Sequence, residues 1–436
     1  MRSSKTIAVL NAVLSNGGDA AILRGMERAL RAASPRELRF VVFDSNPDVT
    51  ASRFPDLELR PALSSLVWPD AKNVGARLVR RLRYGLRARG LRDAASVMRV
   101  DPSREPGDRA YTRLGVPTRR ALEALLRADA VVSTGGTYLT DTYWLGPRLA
   151  AFDAVAALGR PFALYTQSLG PFEDAETRRR LASVFASARL TVLRDTRSAD
   201  EVQMLAPSAR TAVHADAAFG LADSDILAAA QDRTVPAAPH VVFSVREWSH
   251  FSREPAAVGM ARYRVSVASA VKRVVRSWGG RVTFLSTCQG TPGYRYDDAA
   301  VARRIAADLP APIREHMRVD ARPRTPAELI SAYGEADLVV ATRMHAAILA
   351  LCAGTPVVPI AYERKTFDLF DRLGLIDWVE DIETTGEIAP TSLADRMEYV
   401  RSKLPRVRRE LFARVEEARS DALMAGVRTA EALGLC

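Results

Sequence analysis

The stretch Asp337-Leu338-Val339-Val340-Ala341-Thr342-Arg343-Met344-His345 reads as a short apolar strand running straight into a helix start. Residues 346–352 continue as an apolar helix. Gly354-Thr355-Pro356 stops it, and residues 357–360 form a second apolar run. Neither strand alternates with polar residues, so both are buried on two faces, as in a parallel sheet covered by helices. The same rhythm extends outward. A first set of expected strands lies at 7–14, 38–43, 130–133, 162–166 and 191–193, and a second at 240–245, 282–286, 338–341 and 357–360. The 436-residue chain therefore reads as α/β, with two Rossmann-like doubly wound domains facing a central cleft. The expected divisions are a first domain at 1–231, carrying a basic helical insertion at about 72–99, a linker at 232–239, a second domain at 240–393, and C-terminal helices at 394–436 able to return to the first domain.

Hydrophobic residues make up 48% of the chain and charged residues 26%, which excludes a mainly disordered or collagen-like protein. Three cysteines, Cys288, Cys352 and Cys436, cannot build a disulfide framework, and their spacing fits no zinc motif. A reducing, cytoplasmic setting is expected, with peripheral contact at the inner face of the membrane as an option. The longest apolar run, 346–361, is broken by Gly354, Pro356 and Pro359 and is too short to span a bilayer. Arg2 and Lys5 precede the apolar run 7–14, but Asn11 interrupts it and Asn16-Gly17-Gly18-Asp19 follows. The reading is a buried first strand entering a Gly-rich turn, not a signal peptide.

The net charge of +11 is concentrated. Residues 72–99 hold nine basic side chains, eight of them arginine, against one acid, Asp93. Val74, Leu78, Leu82 and Leu86 recur every four residues, as in a basic amphipathic helix suited to an anionic membrane surface or a pyrophosphate-linked acceptor. The ordinary alternative is a helix packed on its own domain with a solvated basic face. Nucleic acid fits poorly, because Tyr84 is the only aromatic among these residues. Residues 102–117, rich in Pro, Gly and charge, read as a mobile loop.

Chemistry is expected at strand ends. A helix start after the strand at 338–341 offers free N–H groups and a positive dipole end. Arg343 adds a planar fork for phosphate or carboxylate, and His345 a titratable proton. Lys365, just past the strand at 357–360, is placed to reach the same anion. Arg246, at the end of the strand opening the second domain, lies on the same edge. In the first domain, Asn16-Gly17-Gly18-Asp19, Thr134-Gly135-Gly136-Thr137, Thr166-Gln167-Ser168 and Arg194-Asp195 each follow a strand. Paired glycines let backbone approach a ligand closely. Each is weak alone; all at one sheet edge favour a ligand cleft. Walker A, His-Glu-x-x-His, Gly-x-Ser-x-Gly and Gly-x-Gly-x-x-Gly patterns are absent. Asp223-Ser224-Asp225 precedes a helical run and reads as a cap, and His214 with Asp216 reads as a strand end and no metal site.

The order of these motifs resembles the polysaccharide pyruvyl transferase family. The series runs Asn16-Gly17-Gly18-Asp19, Thr134-Gly135-Gly136, Gln167 with Gly170-Pro171, Arg194-Asp195 with Ser198, Asp216, Ser244-Val245-Arg246, Arg343-Met344-His345, Gly354, Pro356, Tyr362 and Lys365. The resemblance spans nearly the whole chain. It implies a GT-B-like enzyme that moves the pyruvyl unit of phosphoenolpyruvate (PEP) onto a sugar as a ketal, with PEP as co-substrate and neither metal nor redox cofactor. By resemblance, Arg343 and His345 match the family's PEP-binding Arg-x-His, and Arg246 matches a further arginine. Three departures stand out: Thr137 where a third glycine is common, Ala217 where a proline commonly follows the aspartate matched to Asp216, and the Arg-rich 72–99 segment.

PEP carries a phosphate and a carboxylate, so Arg246, Arg343, His345 and Lys365 form the expected PEP set. Asn16, Asp19, Gly135, Gly136, Gln167, Arg194, Asp195 and Asp216 are the expected acceptor-side set. His345 is the expected acid, with Arg343 beside it; Asp19, Asp195 and Asp216 are the candidate bases. The acceptor is a saccharide, free to be lipid-linked, nucleotide-linked or polymeric. Two other readings use the same architecture: a glycosyltransferase with a nucleotide-sugar donor, and a non-catalytic subunit that binds an anionic glycolipid.

Overall fold

The computed structural model describes residues 4–67, 77–100, 115–234, 236–292, 294–387 and 389–436. Two compact units emerge. The first comprises Met1–Leu14, Gly25–Ala217 and Asp421–Cys436; the second comprises Ser15–Arg24 and Ala218–Ser420.

The first unit is built on an eight-stranded sheet. Its strands are β1 (Lys5–Ala12), β2 (Leu38–Asp44), β3 (Glu58–Pro61), β4 (Ala130–Ser133), β5 (Gly136–Leu139), β6 (Phe162–Leu169), β7 (Leu190–Leu193) and β8 (Thr211–Val213). The order is β3-β2-β1-β4-β6-β7-β8, all parallel, with β5 alongside the end of β6. The β4 and β6 strands are buried at every residue. That is why they carry no polar alternation.

The second unit repeats the plan. Its strands are β9 (His240–Ser244), β10 (Arg281–Leu285), the hairpin β11 (Gln289–Thr291) and β12 (Tyr294–Asp297), β13 (Met317–Asp320), β14 (Leu338–Ala341), β15 (Val357–Ala361) and β16 (Glu380–Asp381). The main sheet runs β13-β10-β9-β14-β15-β16. In the unit's own count that is 3-2-1-4-5-6, the doubly wound order, whose ligand crevice opens where the order reverses. The reversal lies between β9 and β14, which pair in parallel with Ala341 opposite Ser244.

The two-sheet α/β reading holds, and each expected strand has a counterpart in a sheet. The divisions fall elsewhere. Residues 218–231, expected in the first domain, belong to the second unit. There a Cβ on Gly354 would meet Ala230 Cβ at 2.7 Å. Ser15–Arg24 also joins the second unit. The helix Ser392–Leu433 gives its residues from Asp421 onward to the first unit, where Asp421 binds His214 Nδ1 (2.7 Å) and the amide of Ala215 (2.7 Å). Residue 235 of the expected linker, residues 72–76 of the basic insertion and residues 102–114 of the expected loop lie outside the described residues. Residues 115–117 of that loop open the helix Gly115–Arg127. Among the described residues no helix is long and apolar enough to cross a membrane.

Two glycines test the packing in opposite directions. A Cβ on Gly426 would lie 2.5 Å from the backbone carbon of Ala29, so Gly426→Ala must push two helices of the first unit apart. A loss of about 1–3 kcal/mol in denaturant unfolding is expected. Gly85 sits inside the helix Arg77–Val100 with nothing among the described residues within 4 Å of a built Cβ. Gly85→Ala should raise stability by about 0.5–1 kcal/mol.

Candidate active site

The site assembles at the carboxyl edge of the second unit's sheet. Arg246, Arg343 and Tyr362 leave the adjacent strands β9, β14 and β15. Arg246 and Arg343 each stand two residues past a paired position, so they flank the switch point at equal depth.

Arg343 is the N-cap residue of the helix Met344–Cys352. Its guanidinium does not face an empty anion site. Nε donates to both carboxylate oxygens of Asp298 (2.8 Å each) and Nη2 to Oδ1 (2.5 Å). Asp298 is 2% exposed and also accepts from the amide of Thr287 (3.1 Å), the Thr287 hydroxyl (2.9 Å) and the amide of Cys288 (3.1 Å). Burial works against the Arg343 charge, but Asp298 outweighs it and holds the guanidinium above its usual pKa. The expected free fork is thus a buried, bidentate ion pair that ties β14 to the turn after β10.

Asn16 and Asp19 join this cluster within the second unit. The Gly17 amide donates to Thr287 O (3.0 Å), and Asn16 bridges Cys288 in an isolated antiparallel pairing. Asn16 accepts from the Gly18 amide (2.9 Å) and donates to Asp19 (3.0 Å), setting the first turn of the helix Gly17–Ala33. A Cβ on Gly18 would lie 2.6 Å from His345 Nδ1 and 2.9 Å from His345 Cβ; one on Gly17 would lie 3.0 Å from Thr287 O. The paired glycines therefore admit the chain to His345 and Thr287 of its own unit. Placing Asn16 and Asp19 on the first domain's acceptor side does not match this packing.

Arg246 is different. It is 9% exposed, and its Cζ lies 4.0 Å from the Tyr362 ring centroid, 5.2 Å from Trp248 and 5.6 Å from Tyr296. Its Nε donates to Glu247 O (3.2 Å), and among the described residues no carboxylate pairs with it. Three ring faces hold a buried cation by cation–π attraction, which orients it without neutralising it. Lys365 Nζ lies 5.8 Å from the same Tyr362 ring and forms an ion pair with Glu363. Arg246 and Lys365 thus converge on Tyr362.

In the first unit, Arg194 and Asp216 form a buried ion pair. Arg194 also donates to Ser168 Oγ (2.7 Å) and Thr137 Oγ1 (2.6 Å). Asp195 caps the helix Thr196–Leu205, accepting from the Ser198 amide (2.7 Å) and the Ser168 hydroxyl (2.8 Å). Both carboxylates are engaged in structural contacts. Gln167 donates to Thr134 O (2.6 Å) and Tyr138 OH (2.8 Å), while its buried Oε1 has no partner among the described residues. Gly135 lies in the turn between β4 and β5, and Gly136 opens β5 at φ +149°. Asp223 caps the helix Ser224–Ala230, as its sequence context suggested.

Four residues of the second-unit cluster carried no signal as site residues. Asp298 follows the true cap, Asp297, and a carboxylate in a first helical turn reads only as dipole complement. Trp248 and Tyr296 lie outside the strands expected from sequence. Cys288 is fully buried, and burial pushes its thiol up to about 11.

Comparison with known proteins follows the same lines. The family model described as polysaccharide pyruvyl transferase matches residues 16–364. The amylovoran biosynthesis protein AmsJ of Erwinia amylovora is 24% identical over 389 residues, covering 87% of this chain and 88% of AmsJ. Among solved structures, a putative UDP-N-acetylglucosamine 2-epimerase from Listeria monocytogenes aligns with TM-score 0.53 at 11% identity, covering 94% of this chain and 91% of that one. UDP-GlcNAc 2-epimerase from Neisseria meningitidis, bound to UDP-GlcNAc, gives 0.52 at 10%, covering 94% of each chain. Anabaena HepE in complex with UDP-glucose also gives 0.52 at 10%, covering 98% and 99%. At these identities the likeness establishes the GT-B fold alone.

Two outcomes are expected. Asp298→Asn leaves the Arg343 charge buried without its partner and should cost about 3–5 kcal/mol in equilibrium unfolding. Unchanged stability would contradict the pairing. The raised Cys288 pKa favours the folded state below the usual thiol value of 9.0, and this contribution is lost as pH rises through about 11. Stability of the wild type should therefore fall over pH 9–11 more steeply than that of Cys288→Ala. Parallel pH profiles would contradict the burial effect.

Proposed function

The chain belongs to the polysaccharide pyruvyl transferase family, and from that premise we propose that it transfers the pyruvyl group of PEP to a saccharide and closes a pyruvate ketal during exopolysaccharide synthesis. Arg246 carries the reading. A buried guanidinium stacked on aromatic rings, without a carboxylate, is poised for an anion from outside. The N-terminus of the nine-residue helix Met344–Cys352, starting from the neighbouring strand, adds amide donors and a positive dipole end. Lys365, 5.8 Å from the Tyr362 ring centroid, supplies a second cation. Together they suit the phosphate and carboxylate of PEP, while Arg343 and Asp298 hold the frame.

The proposed reaction runs in three steps. His345 protonates the PEP methylene, making C2 electrophilic. One sugar hydroxyl adds to C2, giving a phosphorylated ketal intermediate. The C2–O bond to phosphate then breaks, inorganic phosphate leaves, and a neighbouring hydroxyl adds to C2 with loss of its proton. PEP and the diol are consumed; the cyclic ketal and phosphate are formed. Asp19 is the proposed base. It shares its helix start with Gly18, which lies against His345, whereas Asp195 and Asp216 are held by a cap and an ion pair.

Calorimetric titration with PEP, with UDP-sugars as comparators, tests the donor. PEP should bind, and Arg246→Ala should weaken it by roughly ten- to a hundredfold, the worth of about 1.5–3 kcal/mol for a hydrogen bond to a charged group. UDP-sugar binding without PEP binding would overturn the donor in favour of a glycosyltransferase. His345→Ala should lower kcat by about 10²–10⁴-fold while leaving PEP bound. A variant keeping more than roughly a tenth of wild-type turnover would remove the acid role. Gly18→Ala, which crowds the His345 ring, should lower kcat with PEP affinity little changed.

A further inference from the structure

The helix Arg77–Val100 carries eight arginines and one acid. Its core row is Leu91, Ala94, Ala95 and Met98, with Tyr84 and Ala88 packed against the same core. Leu86, of the leucine row noted in the sequence, does not belong to that core row. It is 57% exposed, and Leu78 and Leu82 precede it at the four-residue interval of one helical stripe. Val74 and the side chains of Leu78 and Leu82 lie outside the described residues. Two more large side chains stand exposed nearby, Tyr143 at 49% and Trp144 at 43%. The Trp144 ring meets the Tyr84 ring edge-on at 4.7 Å, which fixes these residues beside the helix. Arg148 extends the basic rim, with Cζ 5.7 Å from the Tyr143 ring.

We propose that this face of the first unit docks the protein on an anionic phospholipid bilayer. The occupant follows from charge and side-chain type together. Leu86, exposed on the helix, and Tyr143 and Trp144, exposed beside Tyr84 of the same helix, each cost free energy in water and gain it at the acyl–headgroup boundary. The flanking arginines, Arg87, Arg89 and Arg92 among them, bury their stems there while the guanidinium groups meet lipid phosphates. A neutral surface would leave that charge uncompensated. The proposal is independent of the donor chemistry, because none of these residues belongs to the second unit.

Sedimentation with vesicles tests it on the full chain. Vesicles of phosphatidylglycerol and phosphatidylcholine should carry the protein down at low salt, and pure phosphatidylcholine vesicles should not. Each basic residue at an anionic surface contributes about fivefold in binding, so Arg89→Glu with Arg92→Glu should weaken it by roughly 30-fold or more. Leu86→Ser should weaken it several-fold with the net charge kept. All three positions are exposed, and circular dichroism with a thermal-unfolding profile matching the wild type confirms that each variant is folded. Absence of sedimentation with phosphatidylglycerol, equal sedimentation with pure phosphatidylcholine, or wild-type binding by both variants would overturn the proposal.

Discussion

The buried pair of Arg343 and Asp298 is the contact on which the second unit's site is built. Asp298 takes three guanidinium hydrogen bonds and three more from Thr287 and Cys288, so one carboxylate fixes the turn after β10, the start of the helix Asp298–Ala307 and the end of β14. The rest follows in sequence. Thr287 and Cys288, so held, receive Gly17 and Asn16; Asn16 shapes the first helical turn; and Gly18 then lies against His345. Removing either charge strands the other in a low-dielectric interior.

Two arginines at equal depth on neighbouring strands divide the work. Arg343 is neutralised by the protein and positions backbone. Arg246 is oriented by three aromatic rings that leave its charge intact. An orienting cage without a counter-ion preorganises a cation for an arriving anion, so little reorganisation opposes binding. Sequence treats the two residues alike, as arginines past strand ends. Their separate roles depend on Asp298 and Tyr362, which come from elsewhere in the chain.

Strands buried on both faces were legible because burial removes polar alternation: 130–133 and 338–341 coincide with β4 and β14 to the residue. The strands not anticipated, β3, β5, β8, β11, β12, β13 and β16, are short or lie at sheet edges, and all have residues that are at least partly exposed. Exposure restores polar residues and erases the signal. Arg246, Arg343, His345 and Lys365 follow the ends of the adjacent strands β9, β14 and β15, because a doubly wound order puts successive strand ends together. Strand-end motifs misplaced Asn16 and Asp19, since nothing local shows that Ser15–Arg24 packs with a turn some 270 residues later. In the basic helix, the row through Leu91 and Met98 faces the core, while Leu86, the described member of the leucine row, stays exposed.

The central claim is that Arg246 receives the donor's anion while Arg343 stays with Asp298. A crystal structure of the protein with PEP tests it directly. The account predicts a PEP phosphate or carboxylate within hydrogen-bond distance of the Arg246 guanidinium, with the bidentate Arg343–Asp298 pair unchanged. PEP held by an Arg343 that has left Asp298, or PEP bound away from Arg246, would contradict it.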